Sequence, residues 1–351
     1  MTQHNASTKK SMALICFLVL INILLFISII ISWKHFGKNG HASGGEDSQT
    51  GSSSIDNNQT SSTAASASST TKPIDLNTTG DDPSTGASTV QNPPDDTPTV
   101  EVVEEPPANE IITFPDSALE KAIREELKIE GREITREDAL QCKELNLSGA
   151  GKAAEDRISD LTGLSAFVNL TSLELRNNKI SNIEELSGLH HLQRLNLESN
   201  QISNLKPLSE LPELQRLDLF DNQIEDISPI SRLAQVRMLD IRKNRISDIS
   251  TIGGMSRISE LYLGRNQIED ISAVKELQDL VSLGFGYNRV KDISVLYDLP
   301  MLHVLTMNYN LIEDISPLAG MKELYHLEIK GNPIKDESPL KELPDSVEIE
   351  K

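Results

Sequence analysis

Leucine and isoleucine fall at fixed offsets through the carboxy-terminal half of the chain, and an asparagine marks the phase. Asn178, Asn200, Asn222, Asn244, Asn266, Asn288, Asn310 and Asn332 follow one another at a constant interval. One copy of the frame reads Leu192-x-x-Leu195-x-Leu197-x-x-Asn200-x-Ile202. It continues through Leu205, Leu208 and Leu211 and restarts at Leu214. Seven apolar columns run through eight copies, and of their 56 positions only Glu337 is polar. The Leu-x-Leu pair has the period of a strand, with both leucines inward and the residues between them outward. The asparagine amide both donates and accepts, which suits buried backbone groups where the strand turns away. Its column is read as a structural spine, not a catalytic row.

This 22-residue period marks a leucine-rich repeat solenoid, in which no copy can bury its apolar frame without a neighbour. The predicted class is an α/β leucine-rich repeat solenoid: a curved parallel β-sheet on the concave face, short 3₁₀ turns on the convex face, and a helical amino-terminal cap. Each copy carries Asp-Ile-Ser-Pro-Leu or a variant after the asparagine, as in Asp226 to Ile230, Asp248 to Ile252 and Asp314 to Leu318. A coil of this length has little room for a full helix there, so 3₁₀ turns with Asp or Asn accepting from their free N–H groups fit better. Six aspartates in that column, Asp226 to Asp336, could also suggest calcium; turn capping is the favoured reading.

Order is predicted to begin near Ile111. Leu119, Ala122, Ile123 and Leu127 have helical spacing after Phe114-Pro115-Asp116-Ser117, and Ser117 with Glu120 makes a capping-box pattern. A second short helix follows Thr135, whose hydroxyl can cap it. Glu144 to Leu147 reads as an irregular first strand. The spacing from Leu145 to Leu173 exceeds one period and implies an insertion of about six, within Gly149 to Asp156, before Ile158 recovers the frame. The assignment is therefore a helical cap and irregular first repeat over 111–157, repeats over 158–343 and a capping strand over 344–351.

The preceding third of the chain is built differently. After a tail of residues 1–11, Met12 to Trp33 is an almost unbroken apolar run. At about 1.5 Å per residue it can cross a hydrocarbon core of about 30 Å as a transmembrane signal-anchor helix. A cleavable signal peptide has a shorter apolar region, although Gly40-His41-Ala42 offers a small-residue pattern for cleavage. Lysines flank the run on both sides, so the positive-inside count is nearly a tie. The short tail and the Ser/Thr-rich stretch beyond favour a single-pass protein with a cytoplasmic amino terminus and extracellular repeats.

Residues 34–110 read as a disordered acidic stalk. Over 43–110, twelve Asp or Glu face one Lys, giving −11 of the formal net charge of −20. Such a stretch has a reach of roughly 45 Å. The repeats are thus only mildly acidic, and no Lys/Arg run suggests a nucleic-acid partner. Of the two cysteines, Cys16 lies in the apolar run, so Cys142 is expected to be a buried, unpaired small side chain.

The frame Leu-x-x-Leu-x-Leu-x-x-Asn-x-Ile-x-Asp-Ile-Ser-x-Leu resembles the 22-residue repeats of bacterial internalins and related surface proteins, over roughly residues 111–351. The segment beginning Phe114-Pro115-Asp116 resembles the helical caps of that group. The resemblance implies cell-surface recognition of another macromolecule. The chain departs from the group's usual pattern: no immunoglobulin-like domain follows the repeats and no carboxy-terminal sorting motif is present, so anchorage would be amino-terminal.

The variable residues between the leucines are expected to face the concave side. Those assigned to partner binding are Arg194, Arg216, Phe220, Met238, Arg242, Tyr262, Arg265, Tyr287 and Tyr309; Asp218, Asp240, Asn308 and His326 share the face. Aromatic and arginine side chains dominate binding energy at interfaces, and eight strands span roughly 35–40 Å, a scale suited to a protein. The predicted ligand is a protein, with glycan or cell-wall polymer as alternatives. There is no phosphate loop, no nucleophile elbow and no Cys/His metal spacing, so no enzyme activity, cofactor or metal is predicted. A metal pair at His303 and His326 is the weakest option weighed. The competing functional readings are an intracellular scaffold or regulator of an enzyme such as a phosphatase, and a structural wall-associated protein or an unrecognised enzyme.

Overall fold

A computed structural model of the protein describes Pro107 and residues 109–351. The anchor assigned to 12–33 and nearly all of the stalk assigned to 34–110 lie outside these residues. Among the described residues no helix is long and apolar enough to cross a membrane.

Ten three-residue strands form one parallel sheet in chain order: β1 (Glu144–Asn146), β2 (Ser172–Glu174), β3 (Arg194–Asn196), β4 (Arg216–Asp218), β5 (Met238–Asp240), β6 (Glu260–Tyr262), β7 (Ser282–Gly284), β8 (Val304–Thr306), β9 (His326–Glu328) and β10 (Glu348–Glu350). Register is set by the central apolar residue: Leu145, Leu173, Leu195 and the equivalent leucines pair strand to strand, and Ile349 closes the row. A 3₁₀ turn lies between successive strands, for example Lys206–Leu208, Ser228–Ile230 and Ser250–Gly254.

The frame leucines and isoleucines fill a continuous core, most of them under 4% exposed. Each asparagine ties two coils together. Asn200 Nδ2 donates to Leu175 O of the preceding coil (3.0 Å) and Leu197 O of its own (3.0 Å), while its Oδ1 accepts from Ile180 N (3.1 Å). The same three bonds recur from Asn178 to Asn332. One side chain thus satisfies buried donors and acceptors that no strand partner reaches.

The aspartate column has the capping role. Oδ1 of Asp226, Asp248, Asp270, Asp292, Asp314 and Asp336 accepts from the N–H of the serine two residues on, at 2.7–2.8 Å. Asn182 and Asn204 do the same for Glu184 and Lys206 at 3.0 Å.

Among the described residues two helices precede β1: α1 (Ser117–Leu127) and α2 (Arg136–Gln141). Leu119 and Ile123 of α1 are fully buried in the common core. The cap of α1 is Asp116 rather than the expected Ser117–Glu120 box: Asp116 Oδ1 accepts from Ala118 N (2.8 Å) and Leu119 N (3.1 Å). Its other oxygen accepts from Ser159 N (2.8 Å) and Asp160 N (3.0 Å), fastening α1 to the first coil. A carboxylate serves two elements here, which a serine hydroxyl cannot. Thr135 caps α2 through a reciprocal box with Asp138. Cys142 is buried and unpaired, with its thiol donating to Glu144 O (3.3 Å), and burial pushes its pKa up.

Candidate recognition face and its relatives

The first and third residues of each strand lie on the sheet face opposite the leucine core, so rows of side chains run across the coils at strand spacing. On this face the structure gathers Phe220, Arg242 and Tyr262 into one group. The Arg242 guanidinium sits 5.2 Å from the Phe220 ring centre and 5.3 Å from that of Tyr262, between two aromatic rings. Its Nε donates to both oxygens of Asp240 at 2.9 Å, and Nη2 pairs with Asp240 Oδ2. Asp240 is 2% exposed, so the arginine is held from below by a buried carboxylate.

Asp218 stands next to Asp240 in register and accepts from Phe220 N (3.1 Å). Burial, and then the charge of Asp240, push its pKa up to about 7. Burial likewise raises Glu174 and Glu198 in the neighbouring positions. This end of the face therefore concentrates carboxyl groups around Arg242.

Tyr262 is half-buried rather than projecting. Its hydroxyl donates to Glu260 Oε2 (3.1 Å), and burial raises the phenol pKa. Its ring lies beside Gly284 of β7, where a Cβ would be at ordinary contact distance from Tyr262 Cδ1 (3.4 Å) and would be crowded instead by Thr306 Oγ1 (2.8 Å).

A second aromatic group lies just past the strands. The residue before each ladder asparagine adopts positive φ: Asn177 (58°), Ser199 (53°), Asp221 (55°), Lys243 (56°), Arg265 (59°), Tyr287 (60°), Tyr309 (52°) and Gly331 (75°). Arg265, Tyr287 and Tyr309 thus occupy left-handed turns along one edge of the face, not the outward strand positions expected from sequence. The Arg265 guanidinium lies 4.3 Å from the Tyr287 ring centre. Tyr287 and Tyr309 stack with centroids 4.4 Å apart and planes at 22°. Both remain exposed, at 41% and 39%. A side chain in this backbone region costs about 1–2 kcal/mol, which a stacked ring pair worth about 0.5–1.5 kcal/mol offsets in part. Gly331 makes the same turn without that cost, and Tyr309 leans into the space it leaves: a Cβ on Gly331 would meet the ring at 2.5 Å.

The remaining assigned residues divide. Arg194 and Arg216 are exposed in β3 and β4, and Arg194 Nη2 reaches Glu144 at 2.9 Å. Met238 is the correction: it is 8% exposed, with too little free surface to anchor a partner. It is flanked in register by Arg216 and Glu260, and its unbranched, flexible thioether can adapt to the space between them. Asn308 is half-buried, and His326 in β9 lies between Glu328 (Oε1, 3.3 Å) and Glu348 (Oε2, 3.6 Å).

The left-handed column, which fixes the edge group, was missed from sequence, although Asn177 and Gly331 in that column are the residue types that favour such turns. For metals, His303 and His326 do not form the imagined pair, since His303 Nδ1 approaches Met301 O (2.6 Å) and its ring packs edge-on to Tyr325. His326, Glu328 and Glu350 instead bring potential ligand atoms within 4.8 Å of one another on β9 and β10. His326 and Glu328 are half-buried and Glu350 is exposed.

The family model for leucine-rich repeats in two copies matches residues 168–210, 190–232 and 234–276. No curated protein matches. Among solved structures, the internalin InlF of Listeria monocytogenes is 32% identical and superposes with a TM-score of 0.63, covering 67% of this chain and 68% of its own. Internalin C2 of the same organism is 28% identical with a TM-score of 0.59, over 63% of this chain and 97% of that one. The functional domain of InlJ, also from Listeria monocytogenes, shares the fold at 20% identity and a TM-score of 0.51, over 66% of this chain and 54% of its own. With its 22-residue frame, its asparagine ladder and these relatives, the chain belongs to the internalin-like leucine-rich repeat proteins.

Proposed function

We propose that the protein is a membrane-tethered recognition module that displays its repeats outside the cytoplasm and binds a protein partner on the outer sheet face. In this reading residues 12–33 anchor the chain in a bacterial membrane, 34–110 form an acidic stalk, and α1 and α2 cap the open amino-terminal end of the core. The observation that carries it is the Phe220–Arg242–Tyr262 group. Its rings and guanidinium are fixed by contacts within the face, so little side-chain freedom is lost on binding. Folding alone does not require aromatics at these outward positions, and aromatic and arginine anchors are the residues that supply affinity.

Two experiments test the reading. Protease treatment of intact cells carrying the full-length chain should remove the repeats while leaving a membrane-bound stub; survival of the repeats in intact cells, with loss only after lysis, contradicts the orientation. Cross-linking of the full-length chain at the cell surface should capture a protein partner, and Phe220→Ala or Tyr262→Ala should weaken capture at least tenfold without changing the melting temperature by more than a few degrees. Undiminished capture by both variants contradicts the assignment of this face.

A further inference from the structure

The Arg265–Tyr287–Tyr309 file differs from the Arg242 group in one respect that points to a ligand. Arg242 is neutralised by Asp240, and three nearby cations also have carboxylate partners: Lys243 with Asp221 (2.7 Å), Arg245 with Glu225 (3.7 Å) and Arg289 with Glu269 (3.8 Å). Among the described residues Arg265 has no carboxylate partner. Its guanidinium is packed against the Tyr287 ring at 4.3 Å, which fixes the planar group and leaves its N–H edge for solvent. A fixed, planar, unneutralised guanidinium matches a carboxylate through two parallel N–H donors. Past it the edge turns apolar: Tyr287, Tyr309 and Leu311 are 41%, 39% and 45% exposed.

Spacing narrows the shape of the occupant. Arg265 and Tyr309 sit two coils apart, about 9.6 Å at ordinary strand spacing. A polyproline II segment rises about 3.1 Å per residue and returns to the same side every third residue, after about 9.3 Å. Tyrosine-lined surfaces suit such segments, which give up little entropy on docking. We propose that this edge binds an acidic, proline-rich segment of a partner protein in polyproline II conformation. One carboxylate engages Arg265, and a proline three residues away lies against Tyr309 and Leu311. The proposal deepens the recognition reading above and rests on it.

The test uses the full-length chain and a fluorescein-labelled peptide of three tandem Glu-Pro-Pro-Pro units, with a Gln-Pro-Pro-Pro peptide as the neutral control, followed by anisotropy. The acidic peptide should bind at least tenfold more tightly than the neutral one, and the preference should fade as salt is raised. Arg265→Gln should abolish the preference, and Arg265→Lys should restore only part of it because an ammonium lacks the planar fork. Tyr309→Gly should weaken the acidic peptide at least fivefold while leaving the melting temperature nearly unchanged, since glycine is at ease at that φ. Absent binding, equal binding of both peptides, or wild-type binding by Arg265→Gln overturns the proposal. A surface partner lost with Phe220→Ala but retained by Arg265→Gln would overturn this assignment alone and leave the recognition reading standing.

Discussion

Two neighbouring columns of the solenoid teach most by their difference. Asn200, Asn222, Asn288 and Asn310 are buried and repeat the same bonds to the preceding coil. The residues immediately before them are Ser199, Asp221, Tyr287 and Tyr309; they point the other way, share only a positive φ, and vary in chemistry. The first column is uniform because each side chain answers buried backbone groups that have no other partner. The second is free to vary because its constraint is a backbone angle rather than a set of buried bonds that one side chain must make. Stability lives in one column, and the recognition proposed above uses the other and the outward strand positions beside it.

That contrast can be broken or sharpened by substitution. The largest effect is expected for Asn222→Ala, which leaves Leu197 O, Leu219 O and Ile202 N without their side-chain partner. Each unsatisfied buried group costs about 1–3 kcal/mol, so a loss of at least about 3 kcal/mol in thermal or denaturant unfolding is expected. Removal of the two-element cap by Asp116→Ala should cost about 1–2 kcal/mol at neutral pH. Burial acts most strongly on Asp116 and raises its pKa, but the donors from Ser159, Asp160 and Leu119 together hold it below the ordinary value of 3.8. Its contribution is therefore present above that value and lost as pH falls through the lower folded pKa. The gap between wild type and Asp116→Ala should be full at pH 6 and shrink below about pH 4.

Asp218 has the opposite sign. Its folded pKa is raised to about 7, so the stability it contributes is full below 3.8 and is lost as pH rises through 7. Asp218→Asn should raise the melting temperature by a few degrees at pH 8 and change little at pH 4; a uniform effect at both pH values contradicts the burial argument. The smallest change is expected for Tyr287→Asn. It loses the ring stack but places a side chain that tolerates left-handed backbone at φ 60°, so stability should stay within about 1 kcal/mol of wild type.

Much of the fold was legible because the core obeys strict offsets: once Leu195, Leu197 and Asn200 are seen to repeat, parallel register follows from the period alone. The capping roles of Thr135 and of the aspartate column were legible for the same local reason. What escaped were properties set between coils. Met238 looked like a surface residue until Arg216 and Glu260 were seen to flank it. Tyr262 looked free until Arg242 of the preceding coil was seen packed against its ring. The placement of Tyr287 and Tyr309 in turns rather than strands depends on φ, which only Asn177 and Gly331 in that column hinted at. That Arg265 has no carboxylate partner among the described residues required coordinates.

The most direct test compares adjacent residues in one coil. Melting temperatures of the full-length chain carrying Asn310→Ala or Tyr309→Ala, measured side by side at neutral pH, should differ by several degrees, with Asn310→Ala far below wild type and Tyr309→Ala close to it. Equal losses, or a greater loss at Tyr309, would contradict the separation of the stabilising column from the one available for recognition.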